Sequence, residues 1–536
     1  MVALDTPGYG SSDPLPGIEQ PEILDHAAAT AEVLGALGIE RCALYGTHTG
    51  ASIALELASS RPDLVEAAVL DALPILTSYE SASLLQNLPA YRPQPDGGHL
   101  TALWERVRAE HLYFPWFDQR PAARVDAPMP SAACLHQAAM DLLRAGEGYR
   151  AAYAATFRYS SQAALASLET PVAVIACEND PQAAWLERLP RLPECVETAR
   201  LAGGRDELCS WIAGFAARHL SEASVPEPPS WSAIPDRMTR TYVKTSVGQL
   251  HVRGRPGEDE RPLVVFHASP GSARMLHRHI IELMRSRPVL AIDTLGNGES
   301  DKPPGWEHPT SWEPTGPRLP RSQVDPEAPW ITPGIADYAA SVVELIDALG
   351  LEELDLYGSH TGGSIAIEVA VALGPDRARN VIVDGLAMFS EAERDDLLAC
   401  YTPPLEPRWD GAHLPWAWAF LRAQTEFWPW YYQTREGIRW VEPIPAKALH
   451  TWVVELLKSG HTYPLAYNAA FAYRAAGRLP HLRSRTLIAA TSDDMLAECS
   501  ASGARLAPNA VARDLPPDPD QQCELLVRFL GGDDLG

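Results

Sequence analysis

The amino-acid sequence predicts an α/β protein written twice, each copy a mostly parallel sheet with helices on both faces and a helical cap. Three observations carry this. Short apolar runs alternate with longer helical patterns, an order that sets parallel strands beside crossover helices. The run LDHAAATAEVLGALGIERCALYGTHTGASIALELA (24–58) returns as ADYAASVVELIDALGLEELDLYGSHTGGSIAIEVA (336–370) at a constant offset of 312, and DGGHLTALWERVRAEHLYFPW (96–116) returns as DGAHLPWAWAFLRAQTEFWPW (410–430) at 314. The 536 residues, 46% hydrophobic and 21% charged, leave room for two or three ordinary cores and exclude disorder, collagen and a disulfide scaffold.

Taken in order, copy 1 spans 1–220 with its cap at about 77–160, a Pro/Ser-rich linker spans 221–237, and copy 2 spans 238–536 with its cap at about 390–480. Copy 2 begins with two strand-like runs, TRTYVKTS (239–246) and QLHVRGR (249–255). An apolar strand ending in a Gly/Pro turn follows, PLVVFHASPGSA (262–273), then a helix and VLAIDTLGNGESD (289–301). Copy 1 opens on the counterpart of that last element, MVALDTPGYGSSD (1–13), and has nothing corresponding to Met238–Pro288. It therefore lacks its N-terminal strands. Between Asp293 and His360 lie 67 positions against 43 between Asp5 and His48; the excess falls in 303–334, where a lid is expected.

Both copies carry a strand, a turn with paired glycines and a long helix: YGTHTGASIAL with Gly46 and Gly50, YGSHTGGSIAI with Gly358 and Gly362. This order resembles the nucleophile elbow, strand–GxSxG–helix, of the α/β-hydrolase superfamily. HASPGS (267–272) is similar to its HGxPxS oxyanion turn, DTLGNGESD (293–301) and DTPGYGSSD (5–13) to its DxxGxGxSD turn, and the insertion to the cap of haloalkane-dehalogenase-like and epoxide-hydrolase-like members. The resemblance covers essentially all of copy 2 and all of copy 1 except its missing start. It implies the strand order 1-2-4-3-5-6-7-8. A gap should then divide copy 1's sheet between residues 2–5 and the elbow strand, through a late or truncated start or through degeneracy of that copy.

One departure from the family pattern governs the chemistry. The middle residue of the elbow, a nucleophile in the family, is histidine in both copies, His48 and His360. The histidine that should follow the last strand is missing from LAGGRDE (201–207) and from ARDLPPDPD (512–520). A Ser-His-Asp relay is therefore absent. The acid position survives: Asp180 and Asp493 end the strands VAVIACEND and TLIAATSDD, with Asp494 adjacent, and Asp71 and Asp384 end the preceding strands. Either pair is a candidate to orient the elbow imidazole, with Asp493 placed first.

The resemblance assigns oxyanion donors to the N–H groups of Thr361 and Ser269, with Thr49 as the copy 1 counterpart, and gives His267 a structural part. His99 and His413, in the cap motif DGxHL, are candidates to close over the elbow, while His136 and His450 read as packed cap residues. Seven of the fifteen tryptophans stand in the second cap; Trp418, Trp428 and Trp430 are taken as a lining for an apolar substrate. The expected function is hydrolysis of a small apolar ester or related carbonyl compound, with His360 as base or nucleophile. A lyase or other proton-transfer enzyme, and a non-catalytic ligand-binding protein, are the alternatives.

The formal net charge of −25 repels polyanions, so nucleic acid and anionic membrane surfaces are poor partners. Eight scattered cysteines, with no CxxC pair, read as reduced buried thiols in a cytoplasmic protein. No signal peptide, membrane span, metal motif or nucleotide loop is found, so no cofactor is expected. The oligomeric state stays open.

Overall fold

Parallel strands that are apolar at every position must be covered on both faces, and the strands around the two elbows meet this demand to different degrees. The structure, a computed structural model, describes residues 1–220, 226–227, 230, 232, 234, 237–257, 260–303, 306 and 332–534. The expected lid at 303–334 and the linker at 221–237 lie largely outside the described residues. Contacts divide the chain into two units: 1–93 with 98–229 and 409–411, and 94–97 with 230–408 and 412–536.

The first unit holds a four-stranded, all-parallel sheet of β1 (Cys42–Thr47), β2 (Val65–Asp71), β3 (Val172–Cys177) and β4 (Val196–Leu201), in that spatial order. Alternate residues face opposite ways, as the two-residue period of a strand requires. Ala68, Leu70, Val172 and Val174 pack with Leu55 of the helix Thr49–Ser60, while Ala67, Val69, Ala173 and Ile175 meet Phe215 on the other face.

The second unit holds eight strands: β5 (Thr239–Thr245), β6 (Gly248–Arg255), β7 (Leu263–Phe266), β8 (Val289–Ile292), β9 (Leu354–Ser359), β10 (Ala378–Asp384), β11 (Arg485–Thr491) and β12 (Ala510–Leu515). Their spatial order is β5-β6-β8-β7-β9-β10-β11-β12, parallel except where β6 meets β5 and β8. This is the order that the resemblance implies. Val264, Phe266, Leu356 and Val383 pack with the helices Ile335–Ala348 and Thr361–Leu373. Val265, Tyr357 and Ile382 pack with His277–Met284 and Pro519–Leu530 on the opposite face.

The sheet of the first unit departs from expectation at its start. Residues 2–5 form no strand, and Met1, Val2 and Leu4 are exposed. With nothing in the place of β7, that run has no neighbour to pair with; the sheet simply ends at β1 instead of being split by a gap. β1 is accordingly an edge strand with Tyr45 47% exposed, whereas its counterpart β9 is buried at every position but the last. The turn at 5–13 still forms: Asp5 accepts the N–H of Ser11 at 2.8 Å, and a β-carbon on Gly10 would fall 2.1 Å from that carboxylate.

The matching turn of the second unit is built around the buried Asp293. Its Oδ1 accepts the N–H of Ala273 (2.8 Å), and its Oδ2 accepts the N–H of Glu299 (3.0 Å) and pairs with His251 Nδ1 (2.8 Å). Burial alone would raise this carboxyl, but the hydrogen bond and charge of His251 outweigh it and hold it well below the usual carboxylate range. Replacing His251 by Ala leaves a buried carboxylate short of a partner and is expected to destabilise the second unit by about 3 kcal/mol near neutral pH. Because the folded carboxyl is depressed, that contribution is complete above its unfolded pKa and fades as pH falls through the folded value. Urea unfolding of the wild type and H251A at neutral and acidic pH reads both effects, and an unchanged midpoint at neutral pH would refute them.

Candidate active site

The elbow is a crossing too close for side chains. A β-carbon on Gly358 would lie 2.1 Å from the carbonyl oxygen of Gly362, and one on Gly46 2.1 Å from that of Gly50. The residue at the apex is forced to positive φ: His360 at φ 48°, ψ −108° and His48 at φ 49°, ψ −110°. Such a backbone costs a non-glycine residue roughly 1–3 kcal/mol. The apex amide is tied to the neighbouring strand end, His360 N–H to Asp384 O at 2.8 Å and His48 N–H to Asp71 O at 3.0 Å. Thr361 and Thr49 open the following helices, where N–H groups have no intrahelical acceptor.

Each elbow imidazole is held by one carboxylate. His360 Nε2 lies 2.7 Å from Asp494 Oδ2, and the other oxygen of Asp494 accepts the N–H of Leu496 at 2.7 Å. In the first unit His48 Nε2 lies 2.9 Å from Asp180 Oδ2, and Asp180 Oδ1 accepts the N–H of Gln182 at 2.7 Å. An ionised carboxylate only accepts, so the proton in each contact sits on Nε2, and Nδ1 of the neutral ring is the acceptor. The His360 side chain is 34% exposed and that of His48 50%. Burial disfavours the charged ring at both sites, yet the hydrogen bond and charge of the aspartate prevail and place both imidazoles above the ordinary 6.5. Asp494, despite burial, is held below the ordinary carboxylate value by His360.

The partner of His360 is thus Asp494 and not Asp493, whose carbonyl faces Arg439 instead (3.5 Å). The offset of 314 that aligns the second halves of the copies maps Asp180 onto Asp494, and applying it to the acid would have made this choice from the sequence. Asp384 does not reach the ring nitrogen that Asp494 holds; its Oδ2 accepts the hydroxyl of Tyr357 at 2.6 Å, as Asp71 accepts that of Tyr45 at 2.9 Å.

His413 makes a contact within its own segment. It is 3% exposed at the start of the helix His413–Glu426, where its Nδ1 accepts the N–H of Arg408 at 3.2 Å. His99, 4% exposed, sits edge-on to Tyr91. The DGxHL spacing puts the histidine on the inward side of the first helical turn. His450 is buried on the helix Ala446–Ser459 and His136 half-buried on Ala132–Ala145. His267, fully buried, accepts the N–H of Thr294 through Nε2 (3.1 Å), which leaves Nδ1–H for the carbonyl of Ala268 (2.8 Å). Ser269 follows on that turn, and its Oγ is shut off from solvent without a hydrogen-bond partner.

Trp418 is 3% exposed within the cap. Trp428 packs on Phe389 and Tyr401, and Trp430 donates Nε1–H to the carbonyl of Tyr401 at 2.9 Å. Two residues near the elbow carried no signal in the sequence. Arg439 donates Nη1–H to Gln424 O at 2.9 Å, and its charge acts on both His360 and Asp494; position 125, 314 residues earlier, holds valine. Gly385 packs directly beneath the ring: a β-carbon there would fall 2.2 Å from His360 Cδ2. Among the described residues no cluster of three or more His, Cys, Asp or Glu side chains is arranged to hold a metal, and no helix is long and apolar enough to cross a membrane.

A family profile described as the alpha/beta hydrolase fold matches residues 1–192 and 261–406. A 2-hydroxymuconate semialdehyde hydrolase from Pseudomonas sp. (strain CF600) is 31% identical over 147 residues, covering 26% of this chain and 43% of that protein. The match therefore spans less than half of the relative's length. Among solved structures, a hydrolase from Pseudomonas aeruginosa PA01 aligns at 18% identity over 55% of this chain and 96% of its own (TM-score 0.39). The enol-lactonase from Burkholderia xenovorans LB400 aligns at 18% over 54% of this chain and 100% of its own (TM-score 0.39). On the profile match to both halves, the chain belongs to the alpha/beta hydrolase family.

Proposed function

We propose that the second unit hydrolyses a small, largely apolar ester or related carbonyl compound, with His360 as general base. The observation that carries this reading is the pairing of His360 Nε2 with Asp494, which leaves Nδ1 to accept a proton. In the proposed reaction Nδ1 takes a proton from water as its oxygen bonds to the carbonyl carbon. The resulting oxyanion is received by the N–H groups of Thr361 and Ser269. Collapse breaks the bond to the leaving alkoxide, which takes the proton back from the imidazolium. The aromatic group of Phe389, Tyr401 and Trp428 supports an apolar acyl or alcohol portion. The curated relative, named as a hydrolase of a semialdehyde, supports a small carbonyl substrate.

The first unit is not assigned this activity. A β-carbon on Gly362 would meet the carbonyl oxygen of Phe266 at 2.5 Å, because β7 runs beside the elbow; the corresponding Gly50 meets nothing within 4 Å. The strand that would bring a second oxyanion donor to His48 is absent among the described residues. Removing one such donor costs roughly 10²–10³ in turnover.

Turnover of acyl p-nitrophenyl esters is expected to fall roughly 10²–10⁴-fold in H360A. A chain that turns over no ester or thioester yet binds apolar ligands would replace this reading with a ligand-binding one. Turnover of cyanohydrins alone would point to a lyase. The base acts unprotonated, so kcat/KM should rise with pH through the raised value of His360. In D494N the loss of hydrogen bond and charge leaves only Asp384 to oppose burial and Arg439, and the acidic limb should move to lower pH; a limb that stays in place would separate Asp494 from the base.

Gly385→Ala supplies a steric test. The added β-carbon must push the ring outward, and Ala72 already stands at the corresponding place beside the more exposed His48. A displacement of this kind is expected to cost about 10²-fold in kcat. Unchanged kcat in G385A would mean that ring placement is not limiting.

A further inference from the structure

We propose that Asp384, clamped by Tyr357, is a second carboxylate of the site and, together with Asp494, sets how readily His360 takes a proton. This rests on the reading of His360 as base. It makes Asp384 and Tyr357 positioning residues, since each acts through the imidazole.

The geometry starts from strand register. β9 and β10 run parallel, with Ser359 opposite Asp384 and Tyr357 opposite Ile382. Tyr357, 2% exposed, reaches along the sheet and donates its hydroxyl to Asp384 Oδ2 at 2.6 Å. The carbonyl of that same Asp384 receives the N–H of His360 at 2.8 Å, and the next residue, Gly385, is the floor under the ring. One short segment, 384–385, thus fixes the apex amide, supports the imidazole and brings a carboxyl to its neighbourhood.

The first unit repeats the arrangement residue by residue. Tyr45 donates to Asp71 Oδ2 at 2.9 Å, and Asp71 O receives His48 N–H at 3.0 Å. Its surroundings differ, because Tyr45 lies on an edge strand and is 47% exposed. Asp71 is nevertheless only 7% exposed, so this pair too has a buried carboxyl to satisfy; what the repeat shows is that tyrosine, carboxyl and apex amide stay joined although the sheet ends at β1.

The charges around each group are identifiable. Facing Asp384 are Tyr357 from β9, His360 from the elbow, Asp494 from the loop after β11 and His279 from the helix His277–Met284. Facing His360 are Asp494, Asp384 and Arg439, the last opposing the other two. Burial pushes the carboxyl of Asp384 up, and the hydroxyl of Tyr357 draws it back down. Two carboxylates beside one imidazole favour the imidazolium, and Tyr357 decides over what pH range the second of them is charged.

The test is an NMR titration of the His360 ring carbon in full-length protein labelled at histidine, with H360A supplying the assignment. D384N keeps the shape of the side chain and removes its charge; the His360 midpoint should fall by about one pH unit. Y357F should move it the same way, because Asp384 then stays neutral to higher pH. Activity lost in either variant at an unmoved midpoint would overturn the proposal and leave a structural part only, as would midpoints equal to wild type at unchanged activity. The two readings fail separately: an H360A protein that keeps full activity removes the base, whereas an unmoved midpoint in D384N removes the second carboxylate and leaves the base in place.

Discussion

Where β9 becomes the helix Thr361–Leu373 there is no space for a β-carbon on either side of the crossing, because Gly358 lies against the carbonyl of Gly362. The rest of the site depends on that contact. It sets the apex at a positive φ, which turns the His360 side chain out of the sheet and brings its amide to the carbonyl of Asp384. It also places the first N–H groups of the helix next in sequence to the ring, where the proposed reaction needs donors already oriented. The strain of roughly 1–3 kcal/mol is carried by a sheet whose central strands are buried on both faces.

The two units show which parts of this arrangement need their neighbours. The first reproduces the apex dihedrals within about two degrees, the His–Asp contact, and the Tyr–Asp contact, although its sheet stops at the strand that carries the elbow. The elbow is therefore a local device, specified by two glycines and the strand beyond. The turn proposed to supply the second oxyanion donor is not local. It arrives on β7, through the sheet, and without a counterpart among the described residues of the first unit Gly50 stands beside open space while Gly362 abuts the backbone of Phe266. Retention of a glycine at a position with nothing to avoid fits an elbow shaped for a neighbour that the described residues of the first unit do not provide.

Fold class and duplication were legible because they rest on periodicity, glycine spacing and an internal repeat, all of which survive in one dimension; the strand order came only through the family resemblance those motifs carry. The apex histidines were legible for the same reason. Asp494 was within reach, since the register between copies determines it, but proximity to the strand end favoured Asp493. Tyr357 and Arg439 were not legible. A tyrosine in a buried strand looks like any core aromatic until the end of the next strand comes into view, and Arg439 has no counterpart in the first copy. For His413 the sequence offered only the chemistry of a histidine after Asp-Gly; its burial at the helix start, where Nδ1 accepts the N–H of Arg408, needed the structure. The run at 2–5 misled because strand propensity alone does not make a strand; pairing does, and no neighbour for it stands among the described residues.

The position of Asp494 also discriminates between the two parts that an elbow histidine can take. In the family relay an acid orients a histidine and the histidine activates a serine, so the nucleophile is two steps from the carboxylate. Here the carboxylate touches the elbow residue itself, so in the proposed reaction the nucleophile comes from outside the chain. An imidazole that attacks carbon does so best through Nε2, which is remote from the ring substituent, but Nε2 is held by Asp494. The remaining nitrogen, Nδ1, adjoins the carbon that carries the side chain, so an acyl group placed there would crowd the strained backbone of the apex. A proton makes no such demand. On the proposed reading, the same hydrogen bond that raises the basicity of His360 therefore favours proton transfer over covalent attack, with water as the group that joins the substrate.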